Sequence, residues 1–299
     1  MPGEERRVKV GTLGVLGAGA MGGALLRGVL RAGLVPPQHV WVVEPDSSRR
    51  QQVQTELGVS VLAKAGPELG QCQTILVAVK PQVWEEALEQ ARPFFAPKVR
   101  VLSIVAGVRT QQLAARLPAG ATVVRAMPNM PALVGAGATA ICGTTGAEAG
   151  EAETEALAVA KEIFGAVGRV VQLSESALDA VTGLSGSGPA YVFLMIEALA
   201  DGGVSAGLSR EVSELLAAQT VLGAAQAVLE TKLSPAVLRT QVMSPAGTTA
   251  AGLRVLEQRA VRAALIDAVL AAAERSQQLG AAGHHASVTP HPQPGPGGD

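Results

Sequence analysis

The stretch over residues 10–26 restricts what this chain can fold into more than any other. An apolar run rich in β-branched residues ends at Leu16, the turn Gly17-Ala18-Gly19-Ala20-Met21-Gly22 follows, and a helical pattern starts there. A strand, a glycine turn and a helix in that order make a phosphate site. Gly17 permits the tight turn, Gly19 lets a pyrophosphate approach bare backbone, and Gly22 lets the helix pack close to the strand. The free N–H groups at the helix start then face the anion. Dinucleotide binding through Gly17, Ala18, Gly19, Ala20, Met21 and Gly22 is the expectation. The plainer alternative is a strand, turn and helix whose glycines serve packing only.

At 299 residues the chain has room for two domains, taking about 150 residues for each. Its 48% hydrophobic residues against 16% charged describe a chain that buries a large core. A net charge of −1 gives no electrostatic footprint for nucleic acid. Only 2% of residues are aromatic, which removes the stacking platforms of single-strand binders. Cys72 and Cys142 make neither a disulfide framework nor a zinc site, so no metal is expected and a reducing compartment is. The apolar run near the N-terminus is punctuated by glycine and lacks a clean cleavage site. It is also short of the roughly 20 apolar residues of a membrane span. A soluble, cytoplasmic protein with no membrane partner is expected.

Strand and helix patterns alternate up to residue 173. Strands are expected at 8–16, 39–43, 59–62, 74–79, 99–105, 122–126, 135–142 and 169–173. Helices are expected between them at 21–32, 67–71, 84–92, 110–117 and 148–164. Such alternation argues for an α/β fold with a parallel, doubly wound, Rossmann-like sheet over residues 8–173. Ligands of such sheets collect at the carboxyl ends of the strands. There Lys80 can reach a ribose or phosphate, and the small pair Ala106-Gly107 lets a nicotinamide approach the backbone. The second strand ends in Glu44-Pro45-Asp46-Ser47-Ser48-Arg49-Arg50. An acidic residue at this place favours the bare ribose of NAD, and a nearby arginine favours the 2′-phosphate of NADP. Glu44 pulls one way and Arg49 the other, so NADPH and NADH both stand as coenzymes.

From residue 174 no strand candidates remain, and residues 174–279 read as an all-helical second domain. Ser209 and Ser234-Pro235 are helix starts, and Gly202-Gly203 interrupts the helix before them. These helices carry Ala, Leu and Val on more than one face, which suggests a subunit interface as well as a core. Residues 280–299, where three of the four histidines lie, read as a disordered tail.

That placement limits the chemistry. The remaining histidine, His39, opens a strand, so no histidine is expected to act as general acid or base. A nicotinamide enzyme that oxidises an alcohol uses a base, often His, Lys or Tyr, and the single tyrosine, Tyr191, lies in an expected helix. Reduction of a C=N bond needs much less, because an iminium carbon accepts hydride directly. The β-hydroxyacid dehydrogenases pair a similar first domain with a helical second one. They place a catalytic lysine four residues after a similar glycine run; here Val192 follows Gly188-Pro189-Ala190-Tyr191.

Over about residues 10–279 the chain resembles the pyrroline-5-carboxylate reductase family. Residues 17–26 are similar to its nucleotide loop. Ala78-Val79-Lys80-Pro81 and Arg125-Ala126-Met127-Pro128-Asn129 are similar to its two inner-sheet signatures. Residues 179–191 and Ser244-Pro245-Ala246-Gly247-Thr248-Thr249 are similar to two signatures of its second domain. The resemblance implies reduction of 1-pyrroline-5-carboxylate to proline by NAD(P)H, the last step of proline biosynthesis. It adds Val79 and Pro81 to the coenzyme set beside Lys80, and it assigns Ser244, Gly247, Thr248 and Thr249 to the substrate. Thr249 matches the family's active-site threonine, and Glu175 matches a further position around the substrate. Gly247, Thr248 and Thr249 open a helix, so their N–H groups suit a carboxylate.

Two residues depart from the pattern. Ala246 replaces the usual glycine and is strained if its position needs positive φ. Gln241 stands where some members carry asparagine. The resemblance further implies helical domains interlocked into a homodimer, and homodecamers built from such dimers. An imine reductase for a larger ring and a nucleotide-binding sensor without catalysis are the competing readings.

Overall fold

The computed structural model describes residues 10–144 and 150–285, the side chains of 281–285 excepted. The lead-in before residue 10 and the expected tail beyond 285 lie outside them. The chain forms two compact units. The first comprises the sheet, everything up to residue 186, and the residues from 273 onward; the second is residues 187–272.

The first unit is built on eight strands: β1 Leu13–Leu16, β2 Val40–Val43, β3 Ser60–Leu62, β4 Thr74–Val77, β5 Arg100–Ser103, β6 Thr122–Met127, β7 Gly137–Cys142 and β8 Gly168–Gln172. Their order in the sheet is β3-β2-β1-β4-β5-β6-β7-β8. The first six run parallel, as the alternating pattern predicts. β7 departs from that expectation by pairing antiparallel with β6, after which β8 pairs parallel with β7. The cause lies in residues 128–136. They hold one short turn, Met130–Val134, and no crossover helix, so the chain can only double back. β1 also starts later than the sequence suggests, because Gly11 adopts φ +75° and breaks the extended run.

β1 and β4 are buried along their whole length, which is why they read as unbroken apolar runs. Leu13, Val15 and Leu76 face one core; Leu16, Ile75 and Val77 face the other. Helices α1 (Ala20–Arg31) and α5 (Glu151–Gly165) cover the first with Leu25, Leu26, Val29, Ile163 and Phe164. Helices α3 (Trp84–Ala91) and α4 (Thr110–Ala114) cover the second with Trp84, Leu88 and Leu113. Helix α2 (Ser47–Leu57) follows β2.

The secondary structure changes character after β8, but the first unit continues to residue 186. Leu178, in the short helix α6 (Leu178–Val181), packs on Ala140 and Cys142 of β7. Asn129 Nδ2 donates to the Ser185 carbonyl at 2.9 Å. Ser276 donates to Asp179 at 2.6 Å, which ties the end of the last helix to the same unit.

In the second unit, α7 (Gly188–Ser205), α8 (Arg210–Thr231), α9 (Pro235–Gln241) and α10 (Thr248–Gln258) precede α11 (Val261–His285), which starts here and ends in the first unit. Ser209 and Ser234 cap α8 and α9, as expected, by accepting from Val212 N and Val237 N. Gly202-Gly203 does not interrupt α7. A Cβ at Gly203 would lie 2.7 Å from Ser213 Oγ, so this glycine lets α8 approach; the helix ends instead before Gly207 at φ +101°. Helix α11 runs past residue 279, so residues 280–285 are helical and not part of a tail. Ala281 and Ala282 favour that continuation.

Candidate functional site

The glycine turn sits at the carboxyl end of β1, between the ends of β2 and β4. Gly17 adopts φ +90°, and its N–H donates to the Val43 carbonyl at 2.9 Å. A Cβ there would meet Ala78 O and Val79 Cγ1 at 3.0 Å. A Cβ at Gly22 would fall inside the van der Waals envelope of the Gly17 carbonyl oxygen. Gly19 differs from both: a Cβ there would find only Arg49 Nη1, at 3.9 Å. Two glycines are therefore demanded by packing, and the middle one leaves open backbone for a ligand. The first helical bond of α1 runs from Gly23 N to Gly19 O at 2.8 Å. The N–H groups of Ala20, Met21 and Gly22 consequently have no acceptor within the helix. This is the cradle a pyrophosphate fits.

Glu44, expected to face a ribose, is 5% exposed and turned inward. Its Oε2 accepts from Ala18 N at 2.9 Å and its Oε1 from Asp46 N at 3.1 Å. Asp46 caps α2, accepting from Arg49 N at 2.8 Å and from the Ser48 hydroxyl at 2.7 Å. Those two bonds, the hydroxyl first, hold its carboxyl below the usual range. Arg50 Nη1 donates to the carbonyls of Glu44 and Pro45 at 3.0 and 2.7 Å. The Arg49 side chain is exposed and makes no ion pair among the described residues.

Val79, Lys80 and Pro81 follow β4. Val79 packs on the glycine turn, and Lys80 and Pro81 are exposed beside it. Ala106 and Gly107 form an open turn after β5, with Gly107 at φ +76° and nothing within 4 Å of a Cβ placed on it. The coenzyme residues expected from the sequence thus gather at the carboxyl ends of β1, β2, β4 and β5.

Glu175 is held by residues of the first unit. Its Oε1 accepts from Thr110 N at 2.7 Å and Arg125 Nη1 at 3.3 Å, and its Oε2 accepts from the Thr110 hydroxyl at 2.9 Å. Arg125 is buried. The carboxylate joins β6, the start of α4 and the chain after β8 inside the first unit. Burial, followed by the charge of Glu175, pushes the Cys142 thiol up to about 12. Burial alone does the same for Cys72. Neither is a thiolate near neutral pH. Asn129, which sequence reasoning left unassigned, ties two segments of the first unit together. Its Oδ1 accepts from Ala138 N at 2.8 Å while its Nδ2 holds Ser185. Its position inside a family signature was the only available signal.

In the second unit, Ser244, Gly247, Thr248 and Thr249 share one turn. Gly247 N donates to Ser244 O at 3.0 Å, and Gly247 is the N-cap of α10. A Cβ on Gly247 would overlap Ser244 Oγ. Having no side chain, the cap leaves the first N–H groups of α10 unclaimed. Among the described residues no side chain or backbone group hydrogen-bonds the Thr248 or Thr249 hydroxyl. Gln241 is exposed at the end of α9.

Ala246 adopts φ +55°, the strained state its sequence position raised. A left-handed alanine costs about 1 kcal/mol relative to glycine. Ala246→Gly is therefore expected to stabilise the chain by about that amount, seen as a higher unfolding midpoint in urea. An unchanged or lower midpoint contradicts this account of the turn.

Comparisons with known proteins bear on both units. Residues 175–279 match the family model "Pyrroline-5-carboxylate reductase dimerisation". Residues 12–107 match the model "NADP oxidoreductase coenzyme F420-dependent". The chain is 46% identical to a pyrroline-5-carboxylate reductase of Synechocystis over 90% of this chain and 98% of that one. It is 41% identical to the Arabidopsis thaliana enzyme of the same name, over 89% and 95%. A solved pyrroline-5-carboxylate reductase from Coxiella burnetii superposes with TM-score 0.83 at 33% identity, covering 90% of this chain and 98% of that one. The Plasmodium falciparum pyrroline carboxylate reductase, solved with NADP bound, superposes with TM-score 0.77 at 30% identity over 91% and 99%.

Proposed function

The chain belongs to the pyrroline-5-carboxylate reductase family, and we propose on that premise how its own residues carry out the reaction. The enzyme is an NAD(P)H-dependent oxidoreductase that reduces the C=N bond of 1-pyrroline-5-carboxylate. The carbon of that bond gains a hydride, the nitrogen ends with a proton, and the product is proline. NAD(P)H, when bound, supplies the hydride. In our reading Ala20, Met21 and Gly22 donate their N–H groups to the pyrophosphate above the open Gly19. Val79, Lys80 and Pro81 line the same approach, and Ala106 and Gly107 leave room for the nicotinamide.

The uncapped start of α10 carries the substrate assignment. Its N–H groups and partial positive charge suit the substrate carboxylate. Ser244 holds the turn and Thr248 opens the helix; in our reading the unpaired Thr249 hydroxyl bonds the ring nitrogen. A hydroxyl is far too weak an acid to be the net proton donor, so Thr249 orients the ring and relays a proton to nitrogen, taking one from water as it gives up its own. Glu175 supports this chemistry indirectly, by fixing Thr110 and Arg125.

The enzyme is a homo-oligomer, and we infer that its unit is a dimer made through the helical domain, residues 174–279. Leu194 and Leu215 are 66% and 68% exposed. α8 is the one helix among the described residues long and apolar enough to cross a membrane, and it is only 11% buried. It nevertheless carries Arg210, Glu211, Glu214 and Glu230. A second copy, offering the same mixture of apolar and charged side chains, covers it better than lipid does. A homodecamer of such dimers, a cytoplasmic location and a place at the end of proline biosynthesis complete the proposal.

The decisive experiment follows NAD(P)H absorbance with purified protein. Oxidation is expected only when 1-pyrroline-5-carboxylate is added, with proline formed in equal amount. No turnover with either coenzyme would refute the assignment. Faster turnover of a six-membered cyclic imino acid would replace the substrate.

A further inference from the structure

The charged cluster inside the first unit acts on one turn, the stretch between β5 and α4. Its two outermost residues, Ala106 and Gly107, have no side chain that anchors them: Ala106 is exposed, and nothing lies within 4 Å of a Cβ placed on Gly107. The turn is therefore held from its ends. On one side Val105 is buried, and its N–H donates to Ser103 Oγ at 3.3 Å. On the other side Val108 is buried, and Thr110 opens α4. The two valines fix how deep the turn sits, but apolar burial is non-directional. Direction comes from Thr110. Its N–H and its hydroxyl both donate to Glu175, at 2.7 and 2.9 Å, one to each carboxylate oxygen.

Glu175 is itself fixed from behind. The sheet register sets Arg125 of β6 between Ser103 of β5 and Cys142 of β7. Its Nη1 donates to Glu175 Oε1 at 3.3 Å. Arg125 is 6% exposed and Thr110 3%, so the pair works against a largely dry background. Packing alone does not call for charges here. A buried ion pair costs desolvation, and apolar side chains of similar volume often hold a fold at least as well. Charge-assisted hydrogen bonds add defined geometry. Here that geometry is spent on Thr110, the residue that closes the 106–109 turn.

We propose that Glu175 is a positioning residue for hydride transfer: backed by Arg125, it sets the 106–109 turn that receives the nicotinamide, and it does not touch substrate. This rests on the coenzyme reading above. A misplacement of about 1 Å in such a site costs on the order of a hundredfold in rate. The test uses the full chain and two readouts. The first is hydrogen exchange without coenzyme. Thr110→Val keeps the side-chain shape and the N–H bond but deletes the hydroxyl bond, so exchange over residues 104–114 should quicken about tenfold while the rest of the sheet is unchanged. The second is single-turnover oxidation of NAD(P)H at saturating 1-pyrroline-5-carboxylate, where the amplitude counts competent sites and the rate reports alignment. Thr110→Val should slow the rate about tenfold at full amplitude, and Thr110→Ser should return it to within about twofold of wild type. Glu175→Gln, whose single oxygen cannot accept all three bonds, should slow it by about a hundredfold. A reduced amplitude at an unchanged rate, or faster exchange across the whole sheet, marks a merely structural cluster and overturns the proposal. So does a Glu175→Gln variant that raises the substrate KM and keeps the saturated rate, the mark of a substrate ligand. A wild-type protein that transfers no hydride overturns the reaction and this proposal with it; variants as fast as an active wild type overturn the proposal alone.

Discussion

Gly22→Ala should abolish useful coenzyme binding, while Gly23→Ala, one residue on, should leave it intact. The two glycines share a helix, are both buried, and look interchangeable by composition. Their surroundings differ. A Cβ at Gly22 runs into the Gly17 carbonyl and comes within 3.0 Å of Ala78 Cβ. A Cβ at Gly23 meets nothing nearer than Arg27 Nη1 at 3.6 Å, an ordinary contact. Relieving the Gly22 clash means lifting the first turn of α1 away from the glycine turn. That displaces the three free N–H groups that form the cradle. Overpacking of this kind costs about 1–3 kcal/mol, so affinity should fall by about ten- to a hundredfold. Gly23→Ala should be neutral or stabilise the helix by up to about 1 kcal/mol. Calorimetric titration with either coenzyme reads both variants. Equal losses in the two would mean that the cradle depends on general helix packing and not on the approach of Gly22 to Gly17.

The contrast also marks where sequence reasoning stops. The order of strand, glycine turn and helix was legible, because each glycine answers a separate geometric demand, and Leu16 does end β1. The helix starts at Ser209 and Ser234 were legible for the same reason: a capping hydroxyl is a local device. Glu44 was not. Its position marked the end of β2, but which way the carboxylate turns depends in part on a donor 26 residues earlier in the chain, Ala18 N. Gly202-Gly203 misled in the opposite sense. Glycine weakens an isolated helix, yet α7 runs through both residues, and Gly203 leaves the space that Ser213 of α8 occupies. The reversal of β7 was hidden because its run of apolar residues reads the same in either direction. Ala246 lay between these cases: the sequence stated the condition, positive φ, and the backbone met it.

Thr249→Val should cost about a hundredfold in kcat/KM, the usual scale for a positioned proton-transfer group. Valine keeps the β-branch and the volume while deleting the hydroxyl, so the start of α10 should remain folded. The loss should appear in kcat, because the bond to nitrogen strengthens as the C=N bond is reduced and the nitrogen becomes basic. KM should change little, since the substrate carboxylate is held by N–H groups that valine leaves in place. Thr249→Ser restores a hydroxyl at the same Cβ and should recover most of the activity. Thr248→Val, in a chain where Thr248 is exposed at the first position of α10, should have the smaller effect. Steady-state kinetics on the three variants separate the roles. If Thr249→Val raises KM and spares kcat, Thr249 contributes to binding only, and solvent delivers the nitrogen proton. If it changes neither, the hydroxyl has no part in the reaction. With no histidine in the second unit and both cysteines held as thiols, proton delivery would then fall to water bound at the helix start.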